Sequence, residues 1–249
     1  MDYELMDHLN RTLDRKLLDQ LSKVYYGHEM WIDTPSSTES TVSCHLRYGH
    51  NMSVDGVAPK SYVNTIVYTP DGKRLKADET EEKDGYLLSC PRFGDGDYSF
   101  YVDSSSVWCH DANNKWEMCP KSKMKGATYS GAFNLVAKKI IPLNNGQKFV
   151  PVSHSTLEIL PETRGIKVGD NVEFKINYEG GPLSGSTIKA YCKDANKDVM
   201  VDIVDGKATV PIDHAGTYMF LVRHRDETKK IDGVFDETIF VTTLVMEAC

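Results

Sequence analysis

Two stretches of this chain, 120 positions apart, carry the same strand signature, and that repeat limits the fold more than any other feature. Pro91, Gly96, Tyr98, Phe100 and Val102 correspond to Pro211, Gly216, Tyr218, Phe220 and Val222. Each copy is a Gly-x-Tyr-x-Phe-x-Val run behind a polar turn, with an Asp-Gly pair (Asp84-Gly85, Asp205-Gly206) opening the strand before it. A period of two places alternate side chains on one face, which is the pattern of a half-buried strand. The same alternation occurs in Val42, Cys44, Leu46 and Tyr48 and again in Val172, Phe174, Ile176 and Tyr178. Short strands with turn signals between them, such as Pro70-Asp71-Gly72, predict a sandwich or a barrel. A Tyr just after the turn suits the tyrosine corner of immunoglobulin-like folds. The fold expected is mainly β: two tandem immunoglobulin-like β-sandwiches preceded by an N-terminal amphipathic helix.

The helix is expected over residues 3 to 25, where Leu5, Leu9, Leu13, Leu17 and Leu21 form a stripe at helical spacing. That stripe needs a cover, either the body of the protein or a second copy in a homodimer. The domain division follows: 1–26 the helix, 27–103 the first sandwich, 104–150 an irregular insert and connecting strand, and 151–249 the second sandwich.

Composition excludes several function classes. Lys and Arg number 29 against 36 Asp and Glu, a net charge of -7, and no basic cluster stands out. An acidic chain repels phosphate backbones, so nucleic acid is not expected as a partner. No run approaches the roughly 20 apolar residues that span a bilayer, and the charged N-terminus does not read as a secretory signal. A cytoplasmic location is expected of the chain as it stands. No nucleophile elbow, phosphate-cradling loop or His-Glu-x-x-His is present, which favours binding over catalysis.

Histidine is the residue type that points to chemistry. Of eight, His28 precedes a strand, His50 ends the next, His110 lies in the insert and His224 ends the second Gly-x-Tyr strand. A neutral imidazole offers a lone pair that Ni, Co, Zn and Cu all accept, while a single histidine is more often a surface or hydrogen-bonded group. If residues 28–32 pair beside 44–50, His28 falls opposite His50. His224 would then have to arrive from the second domain. Cys109 and Cys119 bracket a short loop beside His110, and a disulfide, free thiols or a shared metal all fit that spacing. Cys44 and Cys192 fall at apolar strand positions and read as buried thiols.

Gly27-His28-Glu29-Met30-Trp31-Ile32 resembles the opening of the NikM-like nickel/cobalt-uptake accessory proteins. Those proteins are periplasmic or cell-surface components beside energy-coupling-factor-type metal transporters, many of them described only as a domain of unknown function. Further matches follow in order: Tyr48-Gly49-His50, Ala137-Lys138, Leu157-Glu158-Ile159-Leu160-Pro161, Val168-Gly169-Asp170, Gly181-Pro182-Leu183, Gly216-Thr217-Tyr218 and Val222-Arg223-His224. The resemblance covers roughly residues 27 to 246. It implies His28, His50 and His224 as ligands for Ni or Co; Zn or Cu is also acceptable to imidazole, and His110, Cys109 and Cys119, which match no family position, are weaker candidates on their spacing alone. It implies a membrane component of a metal transporter as partner, and a periplasmic or cell-surface location as the alternative to a cytoplasmic one. This chain departs from the family pattern in placing 26 residues before Gly27, so no α-amine is at hand to help His28 chelate. The rival reading is a metal-free tandem immunoglobulin-like module that binds a protein or glycan.

Overall fold

The computed structural model describes residues 28–144, 149 and 151–249. The helix expected over residues 3 to 25 lies outside them. The strands in chain order are β1 (Glu29–Ser37), β2 (Thr41–His50), β3 (Ser53–Gly56), β4 (Asn64–Tyr68), β5 (Arg74–Leu75), β6 (Asp78–Glu82), β7 (Gly85–Pro91), β8 (Gly96–Asp111), β9 (Trp116–Glu117) and β10 (Ala127–Leu143). They continue as β11 (Leu157–Pro161), β12 (Asn171–Tyr178), β13 (Gly181–Pro182), β14 (Ser186–Cys192), β15 (Lys197–Ile203), β16 (Lys207–Pro211), β17 (Gly216–Asp226) and β18 (Glu237–Ala248). The described chain is therefore mainly β, as its alternation predicts.

Three sheets form. One runs β1-β2-β7-β6 with β3 on β2, and a small one joins β11, β12, β13 and β16. Between them lies a nine-stranded sheet in the order β15-β14-β17-β18-β10-β8-β4-β5, with β9 on β8. Alternation along its strands supplies two separate cores. On β17, Met219 and Leu221 enter the core shared with Trp31, Val42 and Leu46. Tyr218, Phe220 and Val222 enter the core shared with Phe174, Ile176 and Val210. The first core and its sheets are called here the first lobe, the second core and its sheets the second lobe.

The two lobes are joined through the central sheet. β10 and β18 pair in parallel, from Gly131 beside Glu237 to Lys139 beside Val245. β18 is buried on both faces except at Glu247, because a core presses on each side. β18, which the expected division places in the second sandwich, lies between β17 and β10 in the sheet that both lobes share.

The segment 104–150, expected as an irregular insert and a connecting strand, is strand over most of its described residues. β8 runs on to Asp111, and β10 returns antiparallel beside it, from Ala127 next to Asp111 to Leu143 next to Gly96. Runs such as Ser104-Ser105-Ser106 look like loop in sequence, yet a long antiparallel partner satisfies their backbone whatever the side chains are.

The 120-residue repeat is structural. The Tyr98 hydroxyl accepts from the Phe93 amide at 2.7 Å and donates to the Gly94 carbonyl at 3.0 Å. The Tyr218 hydroxyl accepts from the His214 amide at 3.1 Å. Gly96 and Gly216 both have φ of 128°, a conformation that favours glycine.

Candidate metal centre

The pairing of β1 with β2 positions the first two histidines. Glu29 lies beside Gly49, Trp31 beside Arg47 and Ser37 beside Val42, so the register continues to His28 opposite His50. The hairpin is tighter than a connection from Asp33 to Thr41. β1 passes through a bulge between Asp33 and Ser36, at Pro35, which has no amide hydrogen to pair. The chain then turns at Thr38, whose Oγ1 accepts from the Thr41 amide at 3.0 Å.

β2 leads straight into β3 through Asn51 and Met52, both with positive φ (48° and 57°), the conformation of a tight two-residue hairpin. His50 pairs with Ser53, and the register slips between Tyr48 and Gly49. A Cβ on Gly49 would overlap the Ser53 carbonyl, so only glycine permits the approach. The result is that Asp55 comes back against both imidazoles. His50 Nδ1 lies 2.6 Å from Asp55 Oδ2, and His28 Nε2 lies 3.1 Å from Asp55 Oδ1. The two imidazole centroids are 4.5 Å apart, and His28 stacks on Tyr48 at 4.3 Å and 6°.

The three side chains offer ligand atoms all within 4.8 Å of one another. His50 is buried, and its Nε2 has no hydrogen-bond partner. Burial, and then the neighbouring His50, hold the His28 imidazole below its ordinary pKa, with Asp55 opposing them. Burial, then Tyr62 and Asp55, push the Tyr48 hydroxyl up to about 12, so it stays protonated at neutral pH.

The second lobe braces this corner. The Arg223 guanidinium bonds Glu29 at 2.9 Å, the Asn51 amide donates to the other Glu29 oxygen at 2.9 Å, and Lys189 Nζ donates to Asn51 Oδ1 at 2.7 Å. Burial raises the Glu29 pKa, but Arg223 and Lys189 outweigh it and hold the carboxyl below the usual range. The residues next to both histidines are therefore anchored on β14 and β17.

The other candidates do not join the group. His224 neighbours Arg223 on β17, and alternation sends it to the opposite face, where its ring packs 4.4 Å from Tyr178. His110 donates to the Asp111 carbonyl at 2.9 Å and packs against Trp116 and Tyr129. Cys109 and Cys119 are free thiols, and Cys109 Sγ bonds the Cys119 carbonyl at 2.8 Å. Among the described residues, His28, His50 and Asp55 are the one group of three with metal-ligand spacing. Asp55 escaped the sequence reading. The signal available for it was an acidic residue five positions after His50 across a tight turn.

A family model described as Domain of unknown function (DUF4198) matches residues 25–226. The chain belongs to that family. No curated protein matches this DUF4198 member. Among solved structures it is similar to one titled "Structures of Clostridium thermocellum CbhA fibronectin(III)-like modules", at 9% identity and a TM-score of 0.20. That match covers 88% of this chain and 94% of the other, and at so low a score it adds nothing to the architecture described above.

Proposed function

We propose that this DUF4198 member binds one divalent transition-metal ion, nickel or cobalt, at His28, His50 and Asp55, and serves as a metal-uptake accessory, carrier or sensor. The observation that carries the reading is the compact two-imidazole, one-carboxylate set, in which His50 Nε2 is buried without a partner. Borderline divalent ions take imidazole and carboxylate together, and three protein ligands leave positions open for water or for a ligand during hand-over. In the metal-free chain Asp55, bonded to both rings, holds the three groups together, and an ion would take the place of the shared protons. The donor set alone ranks copper ahead of nickel. The choice of nickel or cobalt, and of a transporter membrane component as partner, rests on the NikM-like resemblance. No described helix is long and apolar enough to cross a membrane. In this reading the two lobes are immunoglobulin-like copies of one unit, fused through the central sheet.

Calorimetric titration of chelator-treated protein with nickel, cobalt, zinc and copper chlorides tests the proposal. One ion should bind per chain with Kd below about 10 μM. Asp55→Asn, which puts a neutral amide in place of an anionic ligand, should weaken binding at least about tenfold. If none of the four ions reaches that affinity, the metal reading fails. The metal-free module then gains, since Asp55 already gives both imidazoles a hydrogen bond.

A further inference from the structure

A cavity of about 540 Å³ lies on the face of the central sheet turned away from the first core. Its size is that of small-molecule sites. Cross-strand partners share a face, and the pairs Asp103 with Asn64, Asp103 with Val136, Ser105 with Asn134 and Asn134 with Phe240 make one wall of it. The opposite wall is the segment 154–157, which leads into β11.

That second wall is held rigidly. The Lys138 ammonium, nearly fully buried, bonds the Val152 carbonyl at 2.9 Å, and Glu158 Oε2 and the Ile159 carbonyl at 3.2 Å each. Glu158 Oε1 accepts from the amides of His154 and Ser155. His154 Nε2 sits 2.7 Å from Asp103 Oδ2, and its Nδ1 sits 2.9 Å from the Tyr68 hydroxyl. Both ring nitrogens are thus committed, and the wall is formed before any ligand arrives.

Two polar atoms on these walls are left over. Asp103 Oδ1 and Ser155 Oγ are buried and have no hydrogen-bond partner. An unmet buried polar atom costs about 1–3 kcal/mol, so a partner supplied from outside would be favoured. Asp103 calls for a donor and Ser155 accepts either role. An anion is opposed by the Asp103 carboxylate, and Lys138, which does not line the cavity, is already engaged by Glu158 and two carbonyls. A cationic amine would serve Asp103 but would leave the mixed donors and acceptors of Ser105, Asn134 and Thr156 poorly used. Hydroxyl groups both donate and accept, and Phe240, Val136 and Leu157 offer an apolar floor for C–H faces.

We propose that this cavity binds a neutral polyhydroxylated ligand, a mono- or disaccharide, between Asp103 and Ser155. The site is separate from the His28–His50–Asp55 group and is independent of any metal. The test is calorimetry and saturation-transfer NMR on the full chain in chelator. The probes are glucose, galactose, mannose, N-acetylglucosamine and maltose, with putrescine and inorganic phosphate as comparators.

At least one sugar should bind saturably with Kd of about 1 mM or tighter. Ser155→Ala should weaken that binding at least about fivefold without lowering the melting temperature, because Ser155 Oγ has no protein bond to lose. Asp103→Asn should weaken it too. Because that variant also alters the bond to His154, Ser155→Ala decides if it fails to fold. Ser40→Ala is the control: Ser40 is exposed in the turn between β1 and β2 and does not line the cavity, so its binding should match the parent. The proposal is overturned if no sugar saturates by about 10 mM, if Ser155→Ala binds like the parent, or if only putrescine or phosphate binds.

Discussion

The two lobes share a frame and differ in what they leave unsatisfied. Both place a Tyr at the corner after a positive-φ glycine, and both follow a short strand that ends in Pro91 or Pro211. In the second lobe the repeated strand stops at 11 residues, whereas its counterpart β8 runs for 16 and its partner β10 for 17. The extra length, residues 107–111, carries β8 beyond the span it shares with β17. The cavity with Asp103 and Ser105 lies just past Val102, where β8 leaves the first core. The histidine group lies at the end of β2, in the hairpin to β3. Where strands run on past their core, polar groups are tolerated.

The largest expected effect falls at the join of the lobes. Lys138→Met would leave Glu158 buried without its cation, a change that costs about 3–5 kcal/mol. A thermal melt should show a large fall, and a parent-like melt would mean that this ion pair does not hold the join. The next effect separates the two lobes by metal. At about 100 times Kd, nickel should stabilise the parent by about 2.7 kcal/mol. His50→Ala in the first lobe should abolish that shift and His224→Ala in the second should preserve it. Equal responses would erase the distinction drawn here.

Smaller effects sharpen the likeness. Tyr98→Phe and Tyr218→Phe should each cost about 1 kcal/mol in urea melts, since each hydroxyl is hydrogen-bonded at its corner. A costless Tyr218→Phe would leave only one working corner.

The smallest effect is in acid. Burial holds both His28 and His224 below their ordinary pKa, so the folded chain keeps them neutral. Above about pH 6.5 neither state binds the proton and these groups add no pH dependence. As pH falls below that value the unfolded chain protonates first, so stability declines. Melts between pH 7 and 5 should show a small metal-free fall that His28→Ala and His224→Ala each reduce. With nickel the fall should be steeper, because protons compete for the imidazoles.

Much of this was legible in the residues. Alternation located β2, β8, β12 and β17, and the offset of 120 paired the two tyrosine corners. The register of His28 against His50 follows from the short connection between their strands. Three things were not legible, each for a physical reason. His224 was expected at the site, yet a period of two gives only one of two neighbours to a given face, and Arg223 took the inward position toward Glu29. Asp55 arrives through a register slip that depends on Gly49 lacking a side chain, a close approach that no hydrophobic pattern records. The parallel pairing of β10 with β18 is non-local, and the apolar run of β18 reads the same whether one face is covered or both.

That parallel pairing also sets an order of events during synthesis. Gly131 and Glu237, partners across it, are separated by about a hundred residues, a long loop to close before the contact rewards it. Until β18 emerges from the ribosome, the first lobe has an open edge along β10 and lacks Ile239, Val241 and Val245 from its core. A nascent chain halted before β18 would therefore present an unpaired strand beside exposed apolar surface, the condition that invites aggregation and chaperone capture.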